Sequence, residues 1–196
     1  MKLEDEKRHM YGELEVVKIP VGSSGTEEVL YKENNIICSG LGYTLSQLFG
    51  GVGSQNIADF TVDRFQVGTG TETAASGLHK VKTPLTAAQY GQNTDLVITQ
   101  NHFYDPTRST GQSASQEAFA LLSPTYRTQL ANHSARFTLV LDENTANGLT
   151  LKELALFTKN PAGHSSISSV LVAYKTISDV AKSSSFSLVF RWTLNL

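Results

Sequence analysis

The chain has 196 residues, long enough for one substantial core, and its 16 Lys and Arg against 18 Asp and Glu leave a formal charge of −2. Such a balance supplies no global field to recruit nucleic acid or an anionic membrane, so neither is expected as a partner. Charged residues make up only 17% of the chain, below the roughly 25% of an ordinary soluble domain. Ser, Thr, Asn and Gln fill the gap, as suits a surface that packs against neighbouring subunits. One cysteine, Cys38, excludes an internal disulfide and a zinc site of several thiolates.

Residues 1–10 are mostly charged and read as a solvated arm. The opening MKLEDEKRHMYGELEVV is charged where a signal peptide needs an apolar stretch, and no run approaches the ~18 apolar residues of a membrane span. The expectation is a protein made in a cytosol, neither secreted by the general route nor inserted in a bilayer. Tyr11–Pro20 alternates enough for a strand, with Leu14, Val16 and Ile19 on or near one face. Residues 1–25 are therefore expected to form an N-terminal arm whose strand docks onto a neighbour by β-augmentation. A turn, GSSGTEE at 22–28, leads into a strand over 29–38.

LGYTLSQLFGG at 41–51 predicts an amphipathic helix over 41–49. Leu41, Leu45, Leu48 and Phe49 recur at the i, i+4, i+7, i+8 spacing of a single buried face, and Gly50-Gly51 ends it. SASQEAFALLS at 113–123 is a weaker helical pattern. The rest is strand-like: 60–67, 97–104, 136–141, 149–157, 169–177 and 185–194 are rich in β-branched and aromatic residues between Gly, Asn, Pro and Ser clusters. Asn147-Gly148 in the connection 142–148 is a hairpin signal, because both residues tolerate the positive φ of a type I′ turn. In the closing strand Phe186, Leu188, Phe190 and Trp192 share one side. The fold class is mainly β, an antiparallel sandwich of jelly-roll type forming one domain over 26–196, with 85–134 a less regular, insertion-like segment. The expected core includes Leu45, Leu48, Phe49, Phe137, Phe157, Phe186, Phe190 and Trp192.

No pattern of catalytic residues emerges. VGTGTETA at 67–74 lacks the Lys-Ser/Thr of a phosphate loop and the third glycine of a dinucleotide fingerprint, so Gly68 and Gly70 are read as turn residues free to adopt positive φ. His9, His79, His102, His133 and His164 show no metal-ligand spacing. Cys38 follows an apolar run and reads as a buried, inert thiol. Asp142, Glu143 and Asn144 lack the oxygen ladder of a calcium loop. Glu153, set among apolar neighbours in LKELALF, is read as a solvated strand glutamate; buried in an oligomer it would need Arg136 or Arg191. The chain is expected to be no enzyme and to bind no metal or cofactor.

Four motifs in order resemble a broad group of tailed-bacteriophage virion proteins of the tail, fibre-adaptor and collar type. They are NNIICSGLGYTLSQLF (34–49), FQVGTGTE (65–72), RFTLVLDENTANGLTLKELALFTK (136–159) and FSLVFRWTLNL (186–196). The likeness covers residues 29–80 and 135–196. It implies a non-enzymatic virion component, a tail, baseplate or neck connector or fibre-attachment protein, assembled in the host cytoplasm. Such a protein would act as a homo-oligomer, a trimer or a match to the tail's symmetry, against other tail, neck or fibre proteins. The alternative is a receptor- or carbohydrate-binding module of a tail fibre, with the polar loop 105–118 and Tyr90, Tyr104 and Tyr126 at its site. A depolymerase would need paired carboxylates flanking a groove, and no such pair is evident.

Overall fold

A computed structural model of the chain describes residues 10–22, 25–51, 56–71, 73, 78, 80–91, 94–99, 102–103, 112–113, 117–159 and 168–196. In chain order the elements are β1 (Tyr11–Pro20), β2 (Glu28–Ile37), helix α1 (Ser39–Gly50), a 3-10 turn (Ile57–Phe60), β3 (Val62–Gly68), the short helix α2 (Ala87–Tyr90), β4 (Leu96–Thr99), β5 (His102–Phe103), β6 (Gln112–Ser113), β7 (Glu117–Leu121), a second 3-10 turn (Pro124–Tyr126), β8 (Arg127–Ala131), β9 (Ser134–Leu141), β10 (Thr150–Thr158), β11 (Ser168–Ala181) and β12 (Phe186–Asn195).

The protein is mainly β and its main path is antiparallel, in the order β4-β7-β3-β10-β11-β2-β1-β12-β9-β8. A small excursion, β5 with β6, adds the one parallel pairing among the described residues, β5 to β11. The path is one curled sheet, and β2 is its joint. Residues 28–35 of β2 pair with β1, while Ile36 and Ile37 pair with β11. Leu30 is an extra residue opposite Val16 and Val17, a bulge of the kind that bends a strand. The curl brings β3 over β12, although four strands separate them along the path. Phe65 of β3 lies 6.0 Å from the Phe190 ring and 5.6 Å from Trp192.

The core follows from alternation along strands. Phe186, Leu188, Phe190 and Trp192 are all buried on the inner face of β12, together with Phe137, Leu139 and Leu141 of β9. β10 is buried on both faces. Leu154 and Leu156 join this inner core, while Ala155 and Phe157 meet Cys38, Phe119 and Tyr174 in a second cluster outside it.

Several expectations need correction. The strand over 11–20 is no free docking arm: β1 is paired along β12 on one side and β2 on the other, with Leu14 and Val16 fully buried and Ile19 half-buried. Its alternation serves the chain's own core; residues 1–9 lie outside those described. The segment 85–134 is part of the sheet and supplies β4, β7 and β8. Residues 117–121 are a strand rather than helix, because Phe119 and Ala120 point to opposite faces and both are buried. The predicted helix exists and ends on Gly51 in the left-handed region, but of its expected core residues Leu45 is half-buried, Leu48 exposed and Phe49 81% exposed. The sheet covers only the first half of the helix.

The Asn147-Gly148 connection is not a hairpin. It links β9 to β10, which do not pair: β9 lies between β12 and β8, β10 between β3 and β11. The left-handed residues are Ala146 (φ 55) and Gly148 (φ 80). Asp142 Oδ1 shapes this loop by accepting from the Asn144 N–H at 2.9 Å and the Thr145 hydroxyl at 2.7 Å.

Candidate functional site

The densest polar arrangement is built around Glu153 on β10. Its position follows from pairing: Glu153 stands opposite Gly68 of β3 and Thr176 of β11. The chain after β3 turns back over this spot, held by Thr69 N–H to Thr83 O (3.0 Å) and Leu85 N–H to Val67 O (2.9 Å). Glu153 is thereby fully buried. Oε1 accepts from the backbone N–H of Gly70 (3.1 Å) and of Thr83 (2.8 Å); Oε2 accepts from the Lys82 N–H (3.0 Å) and the Tyr174 hydroxyl (2.8 Å).

This overturns the reading of Glu153 as a solvated strand residue. It also shows that burial did not require the arginines considered from sequence. Arg191 pairs with Glu15 and Glu27, and Arg136 reaches Thr193. The four donors to Glu153 are neutral dipoles, three backbone N–H groups and one hydroxyl converging on a buried carboxylate in the same sense as the N–H groups of an anion nest. The ammonium of Lys82 points away, to the Thr71 carbonyl at 3.0 Å.

Gly68 and Gly70 are glycines for a different reason from the one predicted. Neither has positive φ. A Cβ on Gly68 would lie 2.6 Å from Glu153 Oε1 and 2.6 Å from Val81 Cγ1; one on Gly70 would lie 2.7 Å from Oε1 and 2.7 Å from Thr83 Oγ1. The glycines make room for the carboxylate. A Gly-x-Gly turn beside a glutamate embedded in an apolar strand was the available signal, and it only has meaning once β3 and β10 are known to be neighbours.

Two further buried polar groups escaped the sequence reading. Arg64, 3% exposed, donates to Ser169 Oγ at 2.6 Å, sits 3.5 Å from the Asp63 carboxylate and stacks over the Phe119 ring. Burial pushes the Arg64 guanidinium down and the Asp63 carboxyl up from their ordinary values, each offset in part by the charge of the other. Tyr90 is fully buried and its hydroxyl oxygen accepts the Val67 N–H at 2.9 Å; burial raises its pKa. Tyr90 is therefore unable to stack on a sugar, contrary to the expectation that it faces a carbohydrate site. Tyr104 lies outside the described residues.

Tyr126 is exposed and borders a surface cavity of about 180 Å³ between β7 and β9, which Asp95, Leu121, Thr138 and Asp142 also line. A second cleft, about 330 Å³, opens where β2 and β11 diverge, between Leu30, Tyr31, Val180 and Phe186. Cys38 is buried, and burial pushes its thiol to about 12. Among the described residues no three His, Cys, Asp or Glu side chains are grouped to hold a metal ion; His9, His79 and His164 lie outside those described. The chain matches no protein-family model, no curated protein and no solved structure.

Proposed function

We propose that this protein is a non-enzymatic structural component of a phage virion, a tail, baseplate or neck connector or fibre-attachment protein that works by symmetric self-assembly. The observation that carries this reading is the Glu153 cluster. It ties two of the four motifs on which the virion resemblance rests, VGTGTE and LKELALF, into one rigid unit through backbone amides. A buried carboxylate met by three backbone N–H groups and a hydroxyl stiffens a scaffold and presents no open face to a substrate. The other two motifs supply the β2-to-α1 passage and the closing strand β12, so all four serve the same curled sheet. Assembly would take place in the host cytoplasm, with copies of the chain and neighbouring tail, neck or fibre proteins as partners.

A second reading, a receptor- or carbohydrate-binding module, is favoured by the cavity at Tyr126, which the exposed Tyr126 lines together with Asp95, Thr138 and Asp142. Aromatic faces with nearby hydrogen-bonding groups suit a sugar ring. The two readings separate on the purified full chain. A discrete trimer or hexamer by sedimentation, with no retention on a glycan array, is the expected result. A single-chain species that binds glycans through Tyr126 would overturn the assembly reading in favour of the second.

A further inference from the structure

Lys18, Lys32, Lys152, Lys159 and Lys175 each stand 2.9–3.3 Å from a carboxylate oxygen. Lys182 departs from that pattern. It is only 2% exposed, and among the described residues no carboxylate is paired with it. Its Nζ donates to Asn147 Oδ1 at 3.1 Å and to the Ser183 carbonyl at 2.7 Å, and lies 5.2 Å from the centre of the Phe186 ring. Burying a lysine without a counter-ion favours the neutral amine. Desolvation indeed lowers Lys182 from its ordinary value, against the fields of Asp142 and Glu143. A desolvated, neutral amine is a nucleophile.

The group it touches is a carboxamide held in place by backbone. Lys182 and Asn147 meet at the end of the β10–β11 ladder, just beyond the Thr150–Ala181 pair. There the Gly148 N–H donates to the Lys182 carbonyl at 3.0 Å, and the Lys182 N–H to the Leu149 carbonyl at 2.9 Å. Asn147 Nδ2 donates to the Glu143 carbonyl at 2.7 Å, which leaves Oδ1 toward the amine. Holding an amine and a carboxamide together in this way makes their reaction effectively unimolecular. Asn-Gly has a competing path, in which the Gly148 nitrogen closes an imide on the Asn147 side chain. That path must break the Gly148–Lys182 rung, whereas attack by Nζ leaves it intact.

We propose that Lys182 and Asn147 condense into an intramolecular isopeptide bond, which staples the β9–β10 connection to the end of β11. The Nζ lone pair attacks Asn147 Cγ and a Cγ–Nζ amide bond forms. The Cγ–Nδ2 bond breaks, and one proton passes from Nζ to Nδ2, which leaves as ammonia. Asn147 lies at the surface, so the ammonia escapes to solvent. Asp142 and Glu143, in the same loop and acting on the amine through their charge, are the carboxylates available to relay the proton. The bond closes a covalent ring that contains β10 and β11, two strands from the middle of the sheet. It does not depend on the assembly reading.

The test is the intact mass of the purified full chain, followed by tandem mass spectrometry of its proteolytic digest. The parent should be lighter than its sequence mass by one ammonia, and its digest should contain a branched peptide joining the segments around positions 147 and 182. Lys182→Arg keeps a cation but supplies no amine, and Asn147→Ala supplies no carboxamide, so both should keep their full sequence mass. A parent at its full sequence mass overturns the proposal. A loss of ammonia that persists in Lys182→Arg, or that mild alkali reverses by hydrolysis, also overturns it, because that is the Asn-Gly imide. Should either variant fail to fold, the branched peptide in the parent, present or absent, decides by itself.

Discussion

Two sets of glutamates in this protein are stabilised by opposite means. Glu13, Glu15 and Glu27 lie on the outer face, where Glu15 stands directly opposite Lys32 of β2 and Arg191 of β12. Arg191 bridges Glu15 and Glu27, and Lys32 bridges Glu13 and Glu15. Among the described residues Glu153 is paired with no cation and is met by three backbone amides and a phenol. Cross-strand ion pairs in water are screened and exchange partners cheaply. Dipoles converging on a buried charge cannot, because every group left unpaired there meets low dielectric instead of solvent. The outer lattice therefore tunes solubility, while the inner cluster holds a loop in one conformation.

The largest test of that contrast is Glu153→Ala. It strands the Gly70, Lys82 and Thr83 amides and the Tyr174 hydroxyl, and buried orphans cost about 1–3 kcal/mol each, so urea denaturation should register a loss of at least about 3 kcal/mol. Glu153→Gln should fall between, since its amide nitrogen turns a donor toward donors. A loss below about 1 kcal/mol for the alanine variant would mean that the carboxylate does not hold the loop. Next comes Gly70→Ala, whose added methyl group meets Glu153 Oε1 and Thr83 Oγ1 at 2.7 Å; overpacking of this kind costs about 1–3 kcal/mol. If Gly70→Ala is neutral, the glycine is there for some reason other than space.

The same contrast divides the pH response. On the alkaline side the buried Cys38 thiol, raised to about 12 from 9.0 by desolvation, keeps its proton in the folded state while the unfolded chain loses it. The folded state then binds more protons, so stability falls as pH rises above 9.0, with a limiting slope of about 1.4 kcal/mol per pH unit. Cys38→Ala should flatten that part of the stability profile; an unchanged slope would assign it to another group. On the acid side the Arg191 hydrogen bond lowers Glu27 and the Lys175 hydrogen bond lowers Glu33. Their stabilisation is present above the ordinary value of 4.5 and is lost as pH falls through the lowered values. Arg191→Ala should give the smallest effect of the series, visible at low salt and shrinking as salt is added. An effect that resists salt would place this lattice in the same class as Glu153.

Much of the fold was legible in the residues. Strict alternation in FSLVFRWTLNL placed Phe186, Leu188, Phe190 and Trp192 on one buried face, and YGELEVVKIP became β1 with the predicted bounds. Other misreadings have a common cause. EAFAL has helix-forming alanines but pairs as β7 because both its faces are covered. Asn147-Gly148 has hairpin chemistry, yet its flanking strands go to different neighbours. Glu153 looked solvated because nothing in its own strand shows that residues 69–85 fold over it. In each case the deciding partner is distant along the chain.

Local patterning by itself determined that this is a mainly β, antiparallel protein with one amphipathic helix, because period-2 and period-3.6 burial are written residue by residue. Tertiary structure alone decided which strands meet, that β1 is interior rather than an arm, that two glycines make room for a carboxylate, and that the helix stripe is covered for only half its length. Those outcomes depend on what stands opposite each residue, and that is set by long-range pairing, not by sequence neighbours.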